Sequence, residues 1–92
     1  MVRFEWDRDK AAANLRKHRI SFDEAVTVFY DPLAASFVDA DHSVSERRWI
    51  TVGYSIFGRL LVVWHADRRG GIRLIGARSA TRREKVRHEA ES

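Results

Sequence analysis

The sequence lacks cysteine and contains only one proline and five glycines among its 92 residues. Without cysteine, disulfide bonds and thiolate metal sites are excluded, which suits the cytosol. No apolar run is long enough to span a bilayer, and no cleavable leader is visible. The four histidines, His18, His42, His65 and His88, lack the spacing of metal ligands. We therefore expect one cytoplasmic domain over residues 1–92, with no metal or other cofactor and no membrane partner.

Basic residues are concentrated in the second part of the chain. Residues 1–57 hold eight Lys and Arg against nine Asp and Glu, a net charge of −1, whereas residues 58–92 hold nine against four, a net charge of +5. This asymmetry predicts a polyanionic partner, with nucleic acid as the default, that contacts the C-terminal strands and helix.

Residues 47–78 have the pattern of three antiparallel strands joined by two short loops that end in glycine. The middle run is apolar on both faces, which is typical of a strand inside a sheet. The simplest loop closures place Tyr54 opposite Arg59 and Ala66 opposite Ile72. Both sheet faces then need a cover.

These registers put Arg48, His65 and Arg73 in one row on one face of the sheet. Because neighbouring strands lie about 4.8 Å apart, the row would be roughly 10 Å wide and could bracket a phosphodiester. The two arginines would lower the pKa of His65 and suit it to accept a proton. A one-residue slip would break the row, and a solvated rim of the sheet is the alternative.

The same registers leave a largely apolar face for a protein partner to cover. About three short helices are available for both faces of the sheet. The side chains expected on this face are Leu61, Val63, Ile50, Val52 and Ile75.

Three helices are predicted from caps and apolar spacing. Asp7 caps the first, residues 8–18, whose apolar stripe ends at His18; this histidine is either a cation near the helix end or a hydrogen-bonded core residue. Ser21 and Glu24 form a capping box for the second, which ends before Pro32. A second box, Thr81 and Glu84, begins the C-terminal helix.

Arg82 and Arg83 lie in the first turn of that last helix, where the helix dipole disfavours cations. The pair either receives an anion such as a phosphate together with the helix N-terminus, or is simply solvated. With a first strand at residues 2–6, the whole predicts a small α+β domain: an antiparallel meander, two N-terminal helices and one C-terminal helix. The expected core residues are Trp6, Leu15, Phe22, Phe29, Leu60, Val62, Trp64 and Leu74.

The chain resembles the BrnT toxin family over nearly its whole length. The residues that carry the resemblance are Phe4-Glu5-Trp6-Asp7, Asn14-Leu15, Lys17-His18, Phe22, Glu24-Ala25, Glu46, Arg48, Gly53, Gly58-Arg59-Leu60-Leu61-Val62-Val63, Arg73, Ile75-Gly76-Ala77-Arg78 and Ala80-Thr81-Arg82-Arg83-Glu84. The resemblance implies a RelE-like ribonuclease toxin of a type II toxin-antitoxin system. Such a toxin cuts RNA, inhibits translation and is neutralised by a BrnA-like, DNA-binding antitoxin, so that operator DNA is contacted only through the antitoxin.

The resemblance also implies site residues. The family's Lys-His pair falls on Lys17 and His18, its late-strand arginine on Arg78, and its helix-start arginines on Arg82 and Arg83. Together with the strand row, the expected catalytic residues are Lys17, His18, His65, Arg73 and Arg78. The expected RNA contacts are Arg48, Arg59, Arg82, Arg83 and His88, with base stacking on Tyr54 or Phe57.

Three positions depart from the family pattern: Arg19 replaces a glycine after the helix, Gly76 replaces a serine, and His88 replaces a tyrosine. A metal-free ribonuclease needs proton-transfer groups and fixed positive charge, which histidine, lysine and arginine supply. Two other functions remain open: a nucleic-acid-binding module without catalysis, and a ParE-like toxin that acts on gyrase.

Overall fold

The computed structural model describes residues 2–43 and 46–91 and contains one five-stranded sheet of order β1-β5-β4-β3-β2. The strands are β1 Arg3–Glu5, β2 Ala35–Val38, β3 Arg48–Tyr54, β4 Leu60–Arg68 and β5 Gly71–Ser79. The helices are α1 Arg8–His18, α2 Phe22–Thr27, which continues into a 3₁₀ turn at Val28–Tyr30, and α3 Arg82–Glu91. A second 3₁₀ turn spans Ala40–His42.

The predicted α+β class and the antiparallel meander β3-β4-β5 are confirmed, but the sheet as a whole is mixed rather than antiparallel. Strands β2 to β5 pair antiparallel, whereas β1 pairs parallel with β5. Gly71 permits this pairing, because a Cβ there would lie 2.5 Å from the Arg3 carbonyl oxygen. Turn signals identify hairpins only between neighbouring strands, so they carry no information on a pair formed by the first and last strands.

Both predicted registers are wrong by one residue or more. Tyr54 pairs with Leu60 rather than Arg59, because the Ser55 N–H closes the hairpin on the Arg59 carbonyl at 2.8 Å. The second hairpin turns on two residues, Arg69 and Gly70, whose φ angles of 35° and 80° are typical of a tight type I′ turn. A bulge between Trp64 and His65 shifts the β4–β5 register again.

These registers separate the predicted row. Arg48 and Arg73 both pair with Ala66, whereas His65 pairs with Trp49 and Leu74. Successive side chains point to opposite faces of a sheet, so His65 lies on the other face from the two arginines. The expectation that Arg48, His65 and Arg73 form one constellation is therefore wrong.

The same slip divides the apolar set expected on one face. Leu61 and Val63 pair with Gly53 and Thr51, not with Val52 and Ile50. Leu61 and Val63 lie on the face covered by α1 and α2, which we call the core face. Ile50 and Val52 lie on the opposite face, under α3, which we call the groove face.

The core is formed by the core face and by the segment around α2. Its buried members are Ile20, Phe22, Ala25, Val28, Leu61, Val63, Leu74 and Ala77. Of the predicted core residues, Phe22, Leu60, Val62 and Leu74 are buried, and Trp6, Phe29 and Trp64 are half-buried. Leu15 is 48% exposed, so its assignment to the core is wrong.

Asn14 takes the buried position on α1 that the sequence assigned to Leu15. Its amide donates to the carbonyls of Ile20 at 3.0 Å and Ala77 at 2.9 Å, and its carbonyl accepts from the Ala77 N–H at 3.1 Å. The short strand β1 pairs only with the first residues of β5, Gly71 to Arg73. The Asn14 side-chain amide therefore hydrogen-bonds to the Ala77 backbone at the outer edge of β5, beyond the residues that β1 pairs with.

Replacing Asn14 should destabilise the fold through this edge. Asn14→Ala leaves the Ala77 N–H and two carbonyls without their partner, and we expect a loss of about 2 kcal/mol in the free energy of unfolding. Urea unfolding measures the loss. Arg16→Ala, an exposed change on the same helix, is the control; equal small effects of both substitutions would contradict the role given to Asn14.

Candidate active site

Four chain segments meet at one end of the sheet. The beginning of β4 and the end of β5 are paired through Leu61 and Ser79, and the Ala80 N–H donates to the Leu60 carbonyl at 2.9 Å. Helix α1 ends at the same place, because Arg59 donates to the Arg19 carbonyl at 3.3 Å. Helix α3 begins three residues after β5.

This end carries five basic residues from the ends of two helices: Lys17, His18, Arg19, Arg82 and Arg83. We call them the basic end. His18 is half-buried and the other four are exposed. Within residues 2–43 and 46–91, the side chains of all five lack a hydrogen bond or ion pair, so they are open to an anionic ligand. The structure thus places four residues that the resemblance identified at one end of the sheet.

The end of α1 keeps a geometry that usually needs glycine. Arg19 adopts a left-handed conformation with φ 59°, and its N–H donates to the Leu15 carbonyl at 2.9 Å. This conformation costs a non-glycine residue roughly 1 kcal/mol or more. The departure from the family glycine therefore leaves the helix end in place and adds a positive charge beside His18.

Arg78 lies on β5 next to the basic end but on the groove face. Its guanidinium donates to both carboxylate oxygens of Glu84, at 2.8 and 3.0 Å, and lies 5.2 Å from the centre of the Trp64 ring. The Glu84 carboxylate also accepts from the Thr81 N–H at 2.8 Å, which completes the predicted capping box. Hydrogen bonds from Arg78 lower the pKa of Glu84 to about 2. Glu84 therefore stays ionised and fixes Arg78 to the start of α3.

Between α3 and the groove face lies an open groove of about 410 Å³, which we call the α3 groove. Its floor is apolar and includes Phe37, Ile50, Val52, Val62 and Trp64. Its charged and polar wall consists of Arg78, Glu84, Arg87, His88 and Glu91. No residue of α3 is fully buried, so this helix covers the sheet only loosely.

His88 lines the α3 groove at the position where the family has tyrosine. Its ring centre lies 6.2 Å from that of Tyr54, whose hydroxyl donates to Glu89 at 2.9 Å. The Nε2 atom of His88 is buried and has no hydrogen-bond partner in the described part of the chain. An unpaired buried nitrogen is unfavourable, and a ligand or a small rotation that supplied a partner would relieve that cost.

His65 lies away from both features. It is 5% exposed, its Nε2 is 2.6 Å from the Thr51 hydroxyl, and its ring contacts Phe29 edge-on at 4.8 Å. Burial lowers its pKa to about 4. The direction agrees with the expectation, but the cause is desolvation rather than the two arginines. A buried imidazole has no access to RNA, so the structure gives no support to catalysis by His65.

Of the remaining predicted arginines, two are distant from the basic end and one is held by hydrogen bonds to a buried carboxylate. Arg73 pairs with Glu5 at 3.1 Å, and Arg48 begins β3, both at the opposite end of the sheet. Arg59 lies near the basic end, but its guanidinium donates to the buried carboxylate of Glu24. Glu24 therefore does not complete its predicted capping box with Ser21, whose hydroxyl nevertheless accepts the Glu24 N–H at 3.0 Å.

The α3 groove was not predicted. Trp64 and Arg78 become neighbours only when the bulged β4–β5 register is known, and the sequence gives no signal for that register. In residues 2–43 and 46–91, no group of three or more His, Asp or Glu side chains is placed to bind a metal. None of the described helices is long and apolar enough to cross a membrane.

Comparison with known proteins identifies the family. A search of curated proteins gives no match. The crystal structure of the Brucella abortus ribonuclease toxin BrnT is similar in fold, with a TM-score of 0.68 and 21% sequence identity over 89% of this chain and 100% of that one. The family model of the BrnT ribonuclease toxin of type II toxin-antitoxin systems matches residues 6–84. The chain therefore belongs to the BrnT family of ribonuclease toxins.

Proposed function

We propose that the protein is a RelE-like endoribonuclease that cleaves RNA without a metal ion, with its reaction centre between the basic end and Arg78. The observation that carries the proposal is the convergence of two helix ends, one bearing Lys17 and His18 and the other bearing Arg82 and Arg83, beside the strand that holds Arg78. Proton-transfer groups and fixed positive charge are the two requirements of this chemistry.

The proposed reaction uses the 2′-OH of the RNA as nucleophile. His18 or Lys17 removes its proton, the oxygen attacks the adjacent phosphorus, and the 5′ oxygen leaves with a proton supplied by the other group. The products are a 2′,3′-cyclic phosphate and a free 5′-hydroxyl. Arg82 and Arg83, which have no competing partner in the described structure, stabilise the negative charge that develops on the phosphate.

Arg78 binds the same phosphate from the groove face. Three of its N–H donors are used, two on Glu84 and one on the Ser79 carbonyl. A guanidinium has five such donors, so two are available for a phosphate oxygen. The bidentate pair with Glu84 holds the guanidinium in one orientation, which favours the precise placement that phosphate stabilisation requires.

A toxin of this class has a protein antitoxin and an RNA substrate. We propose that the antitoxin is BrnA-like, that it covers the basic end, and that the toxin contacts operator DNA only through it. Four exposed basic side chains at the two helix ends have no ion pair within residues 2–43 and 46–91, and they support an acidic segment as the neutralising element: Lys17, Arg19, Arg82 and Arg83. Co-expression with the neighbouring reading frame tests this directly: a stable complex without RNA cleavage is expected.

The test of the ribonuclease is a cleavage assay with purified protein and defined RNA. We expect cleavage to persist in EDTA and to vanish when the nucleotide 5′ to the cut carries a 2′-deoxyribose. His18→Ala and Arg78→Ala should each reduce cleavage by at least ~10²-fold, as loss of a positioned proton-transfer or charge-stabilising group does.

Arg68→Ala is the matched control, since Arg68 pairs with Glu46 at the opposite end of the sheet. It should leave cleavage unchanged. Cleavage that is lost in EDTA and restored by magnesium would refute the metal-free mechanism. RNA binding without any cleavage would favour a binding module, and inhibition of gyrase without RNA cleavage would favour a ParE-like toxin.

A further inference from the structure

The α3 groove is chemically unlike the basic end. Its charges pair with one another: Arg78 with Glu84, and Arg87 with Glu91 at 3.1 Å. Two arginines and two glutamates give the wall no net charge, so a phosphate gains little by entering. The floor is apolar. This combination suits a flat, neutral group with hydrogen-bonding edges.

The groove also has the size and the surfaces that a nucleobase requires. A volume of about 410 Å³ lies in the range of small-molecule pockets. Unstacked bases bind to aromatic rings and to guanidinium planes. Here the Arg78 guanidinium lies over the Trp64 ring, 5.2 Å from the ring centre, so a base would stack on the outer side of this pair. The Arg78 side chain is 32% exposed and keeps that side accessible. His88 lines the same groove, and its Nε2 atom is buried without a hydrogen-bond partner in the described residues.

From these observations we infer that the α3 groove binds one nucleobase of the RNA substrate, next to the phosphate that lies on the basic end. The inference rests on the ribonuclease function proposed above and adds a site that selects the substrate. Because Arg78 contributes to both places, the base and the scissile phosphate would be held by one rigid pair, Arg78 and Glu84. The base in the groove would then fix which phosphodiester is cut.

The test is a binding cycle between the protein and the RNA. A short 2′-O-methyl oligoribonucleotide, which cannot be cleaved, is labelled with fluorescein, and each nucleotide in turn is replaced by an abasic one. Affinity is measured by fluorescence anisotropy. With the wild-type protein, one abasic position should weaken binding by about tenfold, as loss of a single stacked base does. With Trp64→Leu, the same abasic replacement should cost nothing further.

A second variant avoids any dependence on Trp64 for folding. Ala35 is exposed and lines the groove, so Ala35→Phe should fill the groove without disturbing the core. It should lower RNA affinity by about tenfold and abolish the effect of the abasic position. Tyr30→Ala removes another aromatic residue, 72% exposed and outside the groove, and should keep the wild-type profile.

The outcomes separate this inference from the function on which it rests. If the wild-type protein binds no RNA, both are wrong. If it binds RNA but every abasic effect is the same in the wild-type, Trp64→Leu and Ala35→Phe proteins, only the base site is wrong. Loss of antitoxin binding in the two groove variants, with RNA affinity unchanged, would overturn it in favour of a protein-docking groove.

Discussion

The free energy of unfolding should fall by about 3 kcal/mol as the pH is lowered from 7 to 4, because of His65 alone. In the folded protein, burial lowers the pKa of this imidazole to about 4 from its ordinary value of 6.5. The unfolded chain therefore binds a proton between pH 6.5 and 4 that the folded chain does not. Roughly 2 kcal/mol of the loss should already be present at pH 5.

The surroundings of His65 explain why protonation is unfavourable. Phe29 covers the ring, the Thr51 hydroxyl contacts Nε2, and Nδ1 is buried without a partner in the described residues. The charge of Asp67 raises the pKa, but its effect is smaller than that of burial. A second proton on the ring would place a positive charge in this buried site, where Nδ1 has no acceptor among the described residues.

Urea unfolding at a series of pH values measures this dependence. Carboxylates also titrate near pH 4, so the informative quantity is the difference between the wild-type protein and His65→Gln, which keeps a polar group near Thr51 but does not titrate. The fall between pH 7 and 5 should disappear in this variant. His42→Gln, with a side chain 62% exposed, should retain it. An unchanged fall in His65→Gln would contradict the assignment.

The sequence predicts the positions of the strands and helices better than it predicts how the strands pair. Hairpin positions follow from glycine and polar residues at loops, but a register depends on the exact turn, and Arg69 in a left-handed conformation was not foreseeable from its residue type. A one-residue error in the strand register is enough to separate His65 from the two arginines, and His65 is buried on the core face. The bulge between Trp64 and His65 shifts the β4–β5 register a second time, and the nearby residues do not predict it.

The local sequence predicts where the candidate site residues lie on their helices. The family resemblance nominates Lys17 and His18, and the local pattern places them near the end of α1. Arg82 directly follows Thr81, the N-cap of a capping box that the structure contains in full. The role of Asn14 was missed because an asparagine on a helix normally faces water. Here the Ala77 carbonyl and N–H at the edge of β5 need a donor and an acceptor. That need arises from the tertiary fold, so the spacing of apolar residues along α1 does not reveal it.

Arg59, an expected RNA contact, has a structural role in the fold. Its guanidinium donates through Nε, at 2.9 Å, and through Nη2 to Glu24, whose side chain is 3% exposed and also accepts from the Ser55 hydroxyl at 2.7 Å. These hydrogen bonds, chiefly those from Arg59, lower the pKa of Glu24 in spite of its burial. The pair joins α2 to the first hairpin.

Arg59→Ala should therefore destabilise the protein by about 3 kcal/mol at pH 7, the lower end of the range for breaking a buried pair, since the arginine itself is 43% exposed. Glu24 would remain buried with Ser55 as its main partner. The double variant Glu24→Gln with Arg59→Ala should be more stable than Arg59→Ala alone, because it removes the unpaired charge.

Urea unfolding of the single and double variants provides the measurement, and Arg68→Ala is the matched control. Arg68 also pairs with a glutamate, Glu46, but both side chains are over a third exposed, so its loss should cost under about 1 kcal/mol. If Arg59 served RNA rather than the fold, Arg59→Ala would keep its stability and lose RNA affinity in the anisotropy assay. Because the Glu24 carboxylate is buried, we expect the opposite result, a large loss of stability and a small loss of RNA affinity. A buried charge without its partner costs far more free energy than the loss of one phosphate contact made in water.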